Sequence, residues 1–141
     1  MSIAESVEIQ KAPAAKIVDG RRRSNALYRH FGSAFIEVES LVYRYLDTIA
    51  SAYNGGFFDF YEIEGGGFYL SLRTDEVFKV EVPFGNHFSA ELSADALSIV
   101  ACLFVYCHMG NTDQRCANHY HKLRDFALGH AEAALILAAI D

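Results

Sequence analysis

Apolar positions recur at intervals of three and four from Phe35 onward. Phe35, Val38, Val42, Tyr45, Ile49 and Ala52 fall on one side, with Glu37, Ser40, Arg44, Asp47 and Ser51 on the other. That separation predicts an amphipathic helix of about five turns, packed on one side only. Asn54-Gly55-Gly56 breaks the period, a natural helix end because glycine takes positive φ without Cβ strain. Residues 57–63 are aromatic and β-branched, and residues 68–72 return after the Gly65-Gly66-Gly67 turn signal, which predicts a β-hairpin over 57–72. Phe58, Phe60 and Glu62 share one face of its first strand; Phe57, Asp59, Tyr61 and Ile63 share the other. Neither face is wholly polar, so both sides, or one rim, must be covered. The rest of the chain is organised around this hairpin.

Residues 76–82 alternate, with Phe78, Val80 and Val82 inward and Lys79 and Glu81 outward, a third strand stopped by Pro83. Residues 87–92 predict a short fourth. Ser93 is a good N-cap and Asp95 suits the positive end of the following helix. That helix, over 94–108, is apolar nearly all round and is therefore the buried central one. Gly110-Asn111 ends it, Thr112 or Asp113 caps the next, and Cys116, Tyr120, Leu123 and Ala127 form the next inner stripe. Gly129 closes that helix, and residues 131–140 form a last short one. Upstream, residues 1–24 show weak periodicity and predict a poorly ordered arm. Residues 25–141 form a single domain, entered through a connector anchored by Tyr28 and Phe31. The order is that of an α+β fold: a small antiparallel sheet of three to four strands packed with about four helices, one of them buried and central.

Composition adds little until charge is considered. The 141 residues, 52% of them hydrophobic, suffice for one domain with a real core. The longest apolar stretch, residues 96–109, falls short of the roughly 18 needed to cross a bilayer. No basic-then-apolar leader opens the chain, and three cysteines form no disulfide framework, so a reducing, cytoplasmic setting is expected. The net charge of −6 divides into +3 over residues 1–30 and −9 over residues 31–141. A basic arm on an acidic body grips nucleic acid or lies on its own body. A run of only three arginines, Arg21 to Arg23, favours the second reading.

Candidate chemistry is sparse. Cys102 and Cys107 stand about 140° apart around a helix and cannot easily share a metal, while Cys116 and His119 would need two ligands from elsewhere. The cysteines sit in apolar company rather than beside a cation or a helix start, so buried thiols are expected and not nucleophiles. His119, His121, Lys122 and Arg124 read as a solvated face. Gly65-Gly66-Gly67 lacks the Lys-Ser/Thr of a phosphate loop. Glu62 and Glu64 are carboxylates that no sequence feature places across a cleft. The residues alone therefore predict no catalytic group, no metal and no cofactor, and name no function.

A combination of segments does name one. Arg29-His30-Phe31-Gly32, YNGGFFDFYEIEGGGFYL from Tyr53, FSAELSADALSIVACLF from Phe88, HYHKLRDFALGHAEA from His119 and the terminal Ala-Ile-Asp occur in order from about Arg21 to Asp141. Together they resemble the ArdB/KlcA-type antirestriction proteins. The chain departs from that pattern in lacking the tryptophan that often follows Gly-Gly and its aromatic residue. It also has Glu64-Gly65-Gly66-Gly67 for Ser-Asn-Gly-Gly, and Gly129-His130-Ala131 for Glu-His-Pro. The resemblance implies a compact α+β protein of plasmids, phages or other mobile elements, not an enzyme, that relieves type I restriction of incoming DNA. Its implied partner is the host type I restriction-modification complex, met directly or indirectly.

Mimicry of DNA requires rows of carboxylates at phosphate-like spacing, about one charge per 1.7 Å of duplex. Here 18 acids are interspersed with 12 bases and no acidic run occurs, so protein contact or an indirect effect is expected instead. The alternative is a small nucleic-acid-binding module that uses the arginine arm. Candidate partner-contact residues, all within the matched segments, are Asp141, Asp125, Tyr61 and Arg29. Asp141 adds a carboxylate where a helix ends in unpaired carbonyls, locally unfavourable by up to about 1 kcal/mol. It either serves a partner or pairs with Arg115, Lys122 or Arg124 folding back from the preceding helix.

Overall fold

The structure, a computed structural model, describes residues 13–141. Its elements run β1 (Ala15–Val18), α1 (Gly20–Ser24), α2 (Ala26–Phe31), a 3-10 turn (Gly32–Ala34), α3 (Phe35–Ile49), β2 (Phe58–Ile63), β3 (Gly67–Leu72), β4 (Val77–Glu81), β5 (Ser89–Ser93), α4 (Ala94–Met109), α5 (Gln114–Ala127) and α6 (Ala133–Ile140). The α+β class is as expected from the sequence. The expected single sheet is instead two antiparallel sheets, β1-β2-β3 and β4-β5.

Both edges of the β2–β3 hairpin are already taken, which is why β4 pairs elsewhere. The edge of β2 receives β1, with Ala15 opposite Ile63 and Val18 opposite Phe60. The edge of β3 is met by polar side chains of α4: Leu72 N donates to Ser98 Oγ (2.9 Å), Cys102 Sγ approaches Leu70 O (3.8 Å), and Tyr106 OH donates to Phe68 O (2.6 Å). With no open ladder left, β4 pairs with β5 through Phe78 opposite Leu92. The described part of the expected arm is therefore structured from Ala15 onward: β1 is a sheet strand and α1 lies against the sheet. The remainder of that arm, residues 1–12, lies outside the described residues.

Gly65 (φ 90°) and Gly66 (φ 104°) turn the hairpin, closed by a 2.9 Å bond from Gly66 N to Ile63 O. Ile63 then faces Gly67, and Phe58 faces Leu72. Helix α3 buries Val38, Val42, Leu46 and Ile49. Its inner stripe thus runs through Leu46, while Tyr45 is only partly buried. The helix stops at Ile49 with Ala50 extended, ahead of Asn54-Gly55-Gly56, which form part of the loop into β2. Helix α4 is buried along most of its length, capped by Ser93 Oγ accepting from Ala96 N. Asp113 is the N-cap of α5, its side chain accepting from Cys116 N. The expected solvated face of α5 is corrected at one position: His119 is 6% exposed, because it turns in against Phe31 and Tyr106 (ring centroids 4.8 and 5.8 Å). No helix among the described residues is long and apolar enough to cross a membrane.

Candidate functional site

The hairpin carries a carboxylate hub on each side. On the side covered by α1 and α2, Glu62 accepts from Arg22 Nη2 (2.9 Å), Arg29 Nη1 (2.8 Å) and His30 Nε2 (2.7 Å). Burial alone would raise the Glu62 carboxyl, but these hydrogen bonds outweigh it and bring the pKa down to about 2. Burial lowers the His30 pKa, so a neutral ring donating from Nε2 fits the pair. That ring stacks on Phe68 at 4.6 Å and meets His119 at 5.1 Å. Burial, and then the neighbouring His30, lower His119 to about 4, and its Nδ1 has no hydrogen-bond partner among the described residues.

The arginine run folds onto this same side. Arg22 is tied to Glu62, while the Arg23 guanidinium lies 4.0 Å from the Phe60 ring centroid and 5.1 Å from that of Phe57. Arg73 flanks Phe57 at 4.5 Å and pairs with Asp59. Two of the three arginines are thus spent on the protein's own sheet, which bears on the nucleic-acid alternative.

On the opposite side, Tyr61 stacks on Tyr69 (5.3 Å), and Tyr69 packs against Phe126 (5.6 Å). Tyr69 OH (3.0 Å) and Ser71 Oγ (2.6 Å) both donate to Asp95 Oδ1, and His130 Nε2 lies 2.9 Å from Asp95 Oδ2. Burial would raise the Asp95 pKa, but its donors His130, Ser71 and Tyr69 prevail and lower it. The Asp95 bond likewise raises that of His130. Glu132 N, however, donates to His130 Nδ1 (2.9 Å), so the proton of the neutral ring sits on Nε2 and full protonation would forfeit that backbone bond. Glu132 also accepts from Ser93 N (2.9 Å) and bonds Ser93 Oγ, latching the α5–α6 loop to the start of α4.

A serine, a histidine and an aspartate thus meet, but the carboxylate stands between the other two. Ser71 donates its hydrogen bond to Asp95, and among the described residues no histidine bonds its hydroxyl to activate it. Burial pushes the thiols of Cys102 and Cys116 up to about 12, far from nucleophilic thiolates, whereas Cys107, expected to be buried, is exposed because it falls on the outer side of α4. Among the described residues no group of three or more His, Cys, Asp or Glu could hold a metal ion.

The four candidate contact residues do not converge. Arg29 is held by Glu62, Asn25 Oδ1 (2.9 Å) and the Arg22 carbonyl (3.0 Å), bracing α1 and α2 against β2. Tyr61 is half-buried on the other face of that strand, Asp125 is exposed on α5, and Asp141 is exposed beyond α6. Neither Arg115, Lys122 nor Arg124 forms an ion pair with Asp141 among the described residues. The last carbonyls of α6 are met instead by Asn86 Nδ2, at 2.7 Å from Ala138 O and 3.3 Å from Ala139 O. Neither Asp95 nor His130 stands out in the sequence, beyond the helix-start position of the one and the Gly-His-Ala-Glu loop of the other.

Two carboxylate hubs that fasten helices to a hairpin define a small α+β protein braced by its own side chains. Residues 51–141 match the model of the antirestriction protein family, and the chain belongs to that family. It is 41% identical over 134 residues to an antirestriction protein KlcA of Escherichia coli, covering 90% of this chain and 94% of that one. With a second Escherichia coli KlcA it shares 38% over 144 residues, covering 96% and 98%. A solved structure of the KlcA and ArdB proteins overlays with a TM-score of 0.82 at 38% identity, covering 92% of this chain and 95% of that one. Those proteins have a novel fold and antirestriction activity against type I DNA restriction systems in vivo but not in vitro.

Proposed function

We propose that this protein relieves type I restriction of incoming DNA inside the cell, without catalysis and without imitating DNA. The observation that carries the reading is where its best-defined carboxylates lie. Glu62, Asp59, Asp95 and Glu132 are each engaged by cations, hydroxyls or backbone amides of the same chain. They are engaged as fasteners by groups of the same chain, and a duplex mimic needs its charges free and in a row. The activity of KlcA and ArdB in vivo but not in vitro supports action through a further cellular component, or through the restriction complex only in its cellular context. The self-directed arginines weigh against the nucleic-acid module. The test is a plating assay with unmodified phage on a host with a type I system, with and without this protein. Recovery of plaques is the expected result; equal, low plating in both strains rejects the reading.

A further inference from the structure

We propose that the surface around Phe57 and Arg23 docks an acidic segment of a partner protein, with one aromatic or long aliphatic side chain seated in the adjoining cleft. This rests on the reading above that the protein acts by contacting protein. Arg21, Arg22, Arg23 and Arg29, four of the chain's twelve basic side chains, come from α1 and α2 on the Phe60 and Glu62 side of β2, and Arg73 stands across Phe57 from Arg23, paired with Asp59. Two carboxylates, Asp59 and Glu62, are engaged by them, although the chain as a whole carries −6. Four arginines against the single carboxylate of Glu62 thus leave the α1–α2 side of an acidic molecule locally basic.

Arg23 is the telling residue. It makes no ion pair and no side-chain hydrogen bond among the described residues, yet its guanidinium carbon lies over the Phe60 ring at 4.0 Å and near the Phe57 ring at 5.1 Å. Stacking fixes the plane and leaves the N–H edges open, the arrangement that receives a carboxylate bidentately at small entropic cost. The Phe57 ring is itself 56% exposed between Arg23 and Arg73. Beside it opens a cleft of about 590 Å3, with Leu27, Tyr28, Phe35 and Phe60 along its apolar wall and Arg23 and Glu39 at its rim. That volume has room for one large side chain together with neighbouring atoms of the docked segment.

The cleft also selects between anions. A duplex carries a charge every ~1.7 Å and would run beyond the arginines onto the acidic body. Glu39 at the rim further opposes a polyanion while leaving room for a single carboxylate at Arg23. A peptide with carboxylates flanking an apolar side chain satisfies charge, wall and rim together.

The probe is a fluorescein-labelled peptide of alternating glutamate and phenylalanine, titrated by anisotropy, with a glutamine-for-glutamate version and a random-sequence DNA duplex alongside. Saturable binding of the acidic peptide is expected, weakened about tenfold or more by Arg23→Glu and by added salt. No binding of the glutamine peptide or the duplex is expected. Absence of saturation, insensitivity to Arg23→Glu, or tighter binding of the duplex overturns the proposal. If Arg23→Glu does not melt like the parent, Arg73→Gln, on the other side of Phe57, is the second variant, and unchanged peptide binding by it also overturns the proposal. In the plating assay, a parent that relieves restriction alongside a folded Arg23→Glu variant that relieves it equally rejects this surface and leaves the function standing. A parent that gives no relief rejects the function itself, whatever the peptide does.

Discussion

Replacing Tyr106 with Phe removes one oxygen and little else. The side chain is fully buried, and its hydroxyl donates to Phe68 O at 2.6 Å, on the edge of β3 that no strand covers. The ring stays, with its contact to Phe31 (5.4 Å), so no cavity opens and the transfer term is nearly unchanged. What remains is a buried carbonyl without its donor, a penalty of about 1–3 kcal/mol. For a domain of this size each kcal/mol lowers the melting temperature by about 3–5 °C, so a fall of about 3–15 °C is expected. Scanning calorimetry or circular dichroism on Tyr106→Phe measures it. Tyr120→Phe on α5 is the control, since its half-buried hydroxyl makes no hydrogen bond among the described residues and should shift the midpoint by about 1 °C or less. If Tyr106→Phe melts like Tyr120→Phe, α4 does not seal the β3 edge through this hydroxyl and the account of the two-sheet topology is wrong.

Deleting Asp141, exposed and unpaired among the described residues, should leave the melting temperature nearly unchanged while weakening relief of restriction in the plating assay; full activity, or loss of the fold, makes it a structural end only. Acid should destabilise the protein in two stages. His119, at about 4 when folded against 6.5 unfolded, contributes stability that is full above pH 6.5 and lost as the pH falls towards 4, by about 3 kcal/mol at most. Glu62, at about 2 against 4.5, loses its contribution between pH 4.5 and 2. His119→Leu should flatten the first stage in a series of melts from pH 7 to 4, and an unchanged slope counts against a buried neutral ring.

The periodic elements were legible in the sequence because each rests on local spacing. The hairpin, the one-sided α3 and the all-round apolar α4 fall where the alternation and the three-and-four spacing put them. The errors share a cause. A helix stripe can step by three then four or by four then three, and both routes fit one face. From Val42 to Ile49 the step may pass through Tyr45 or Leu46, and from Cys116 to Leu123 through His119 or Tyr120. Burial selected Leu46 and His119. For His119 polarity argued the wrong way, since the aromatic environment of Phe31, Tyr106 and His30 comes from other elements. The hubs were hidden for a related reason. The partners of Glu62 lie 32 to 40 residues away, and those of Asp95 lie 24 to 35 away. No local pattern reports contacts at that separation.

One long-range contact did leave a local trace. Ser98, Cys102 and Tyr106 interrupt the otherwise apolar interior of α4 at steps of four, and their partners Leu72, Leu70 and Phe68 fall at steps of two on β3. Four helical residues rise about 6 Å, and two strand residues about 6.7 Å. The two repeats therefore stay in step when helix and strand run antiparallel, and each polar side chain meets one outward backbone group. Polar residues at i, i+4 and i+8 on a buried helix need polar partners at matching intervals, and a strand edge supplies them. A helix that seals an edge in this way also forbids a fourth strand there, so the same three residues that keep α4 from being wholly apolar send β4 and β5 into a sheet of their own.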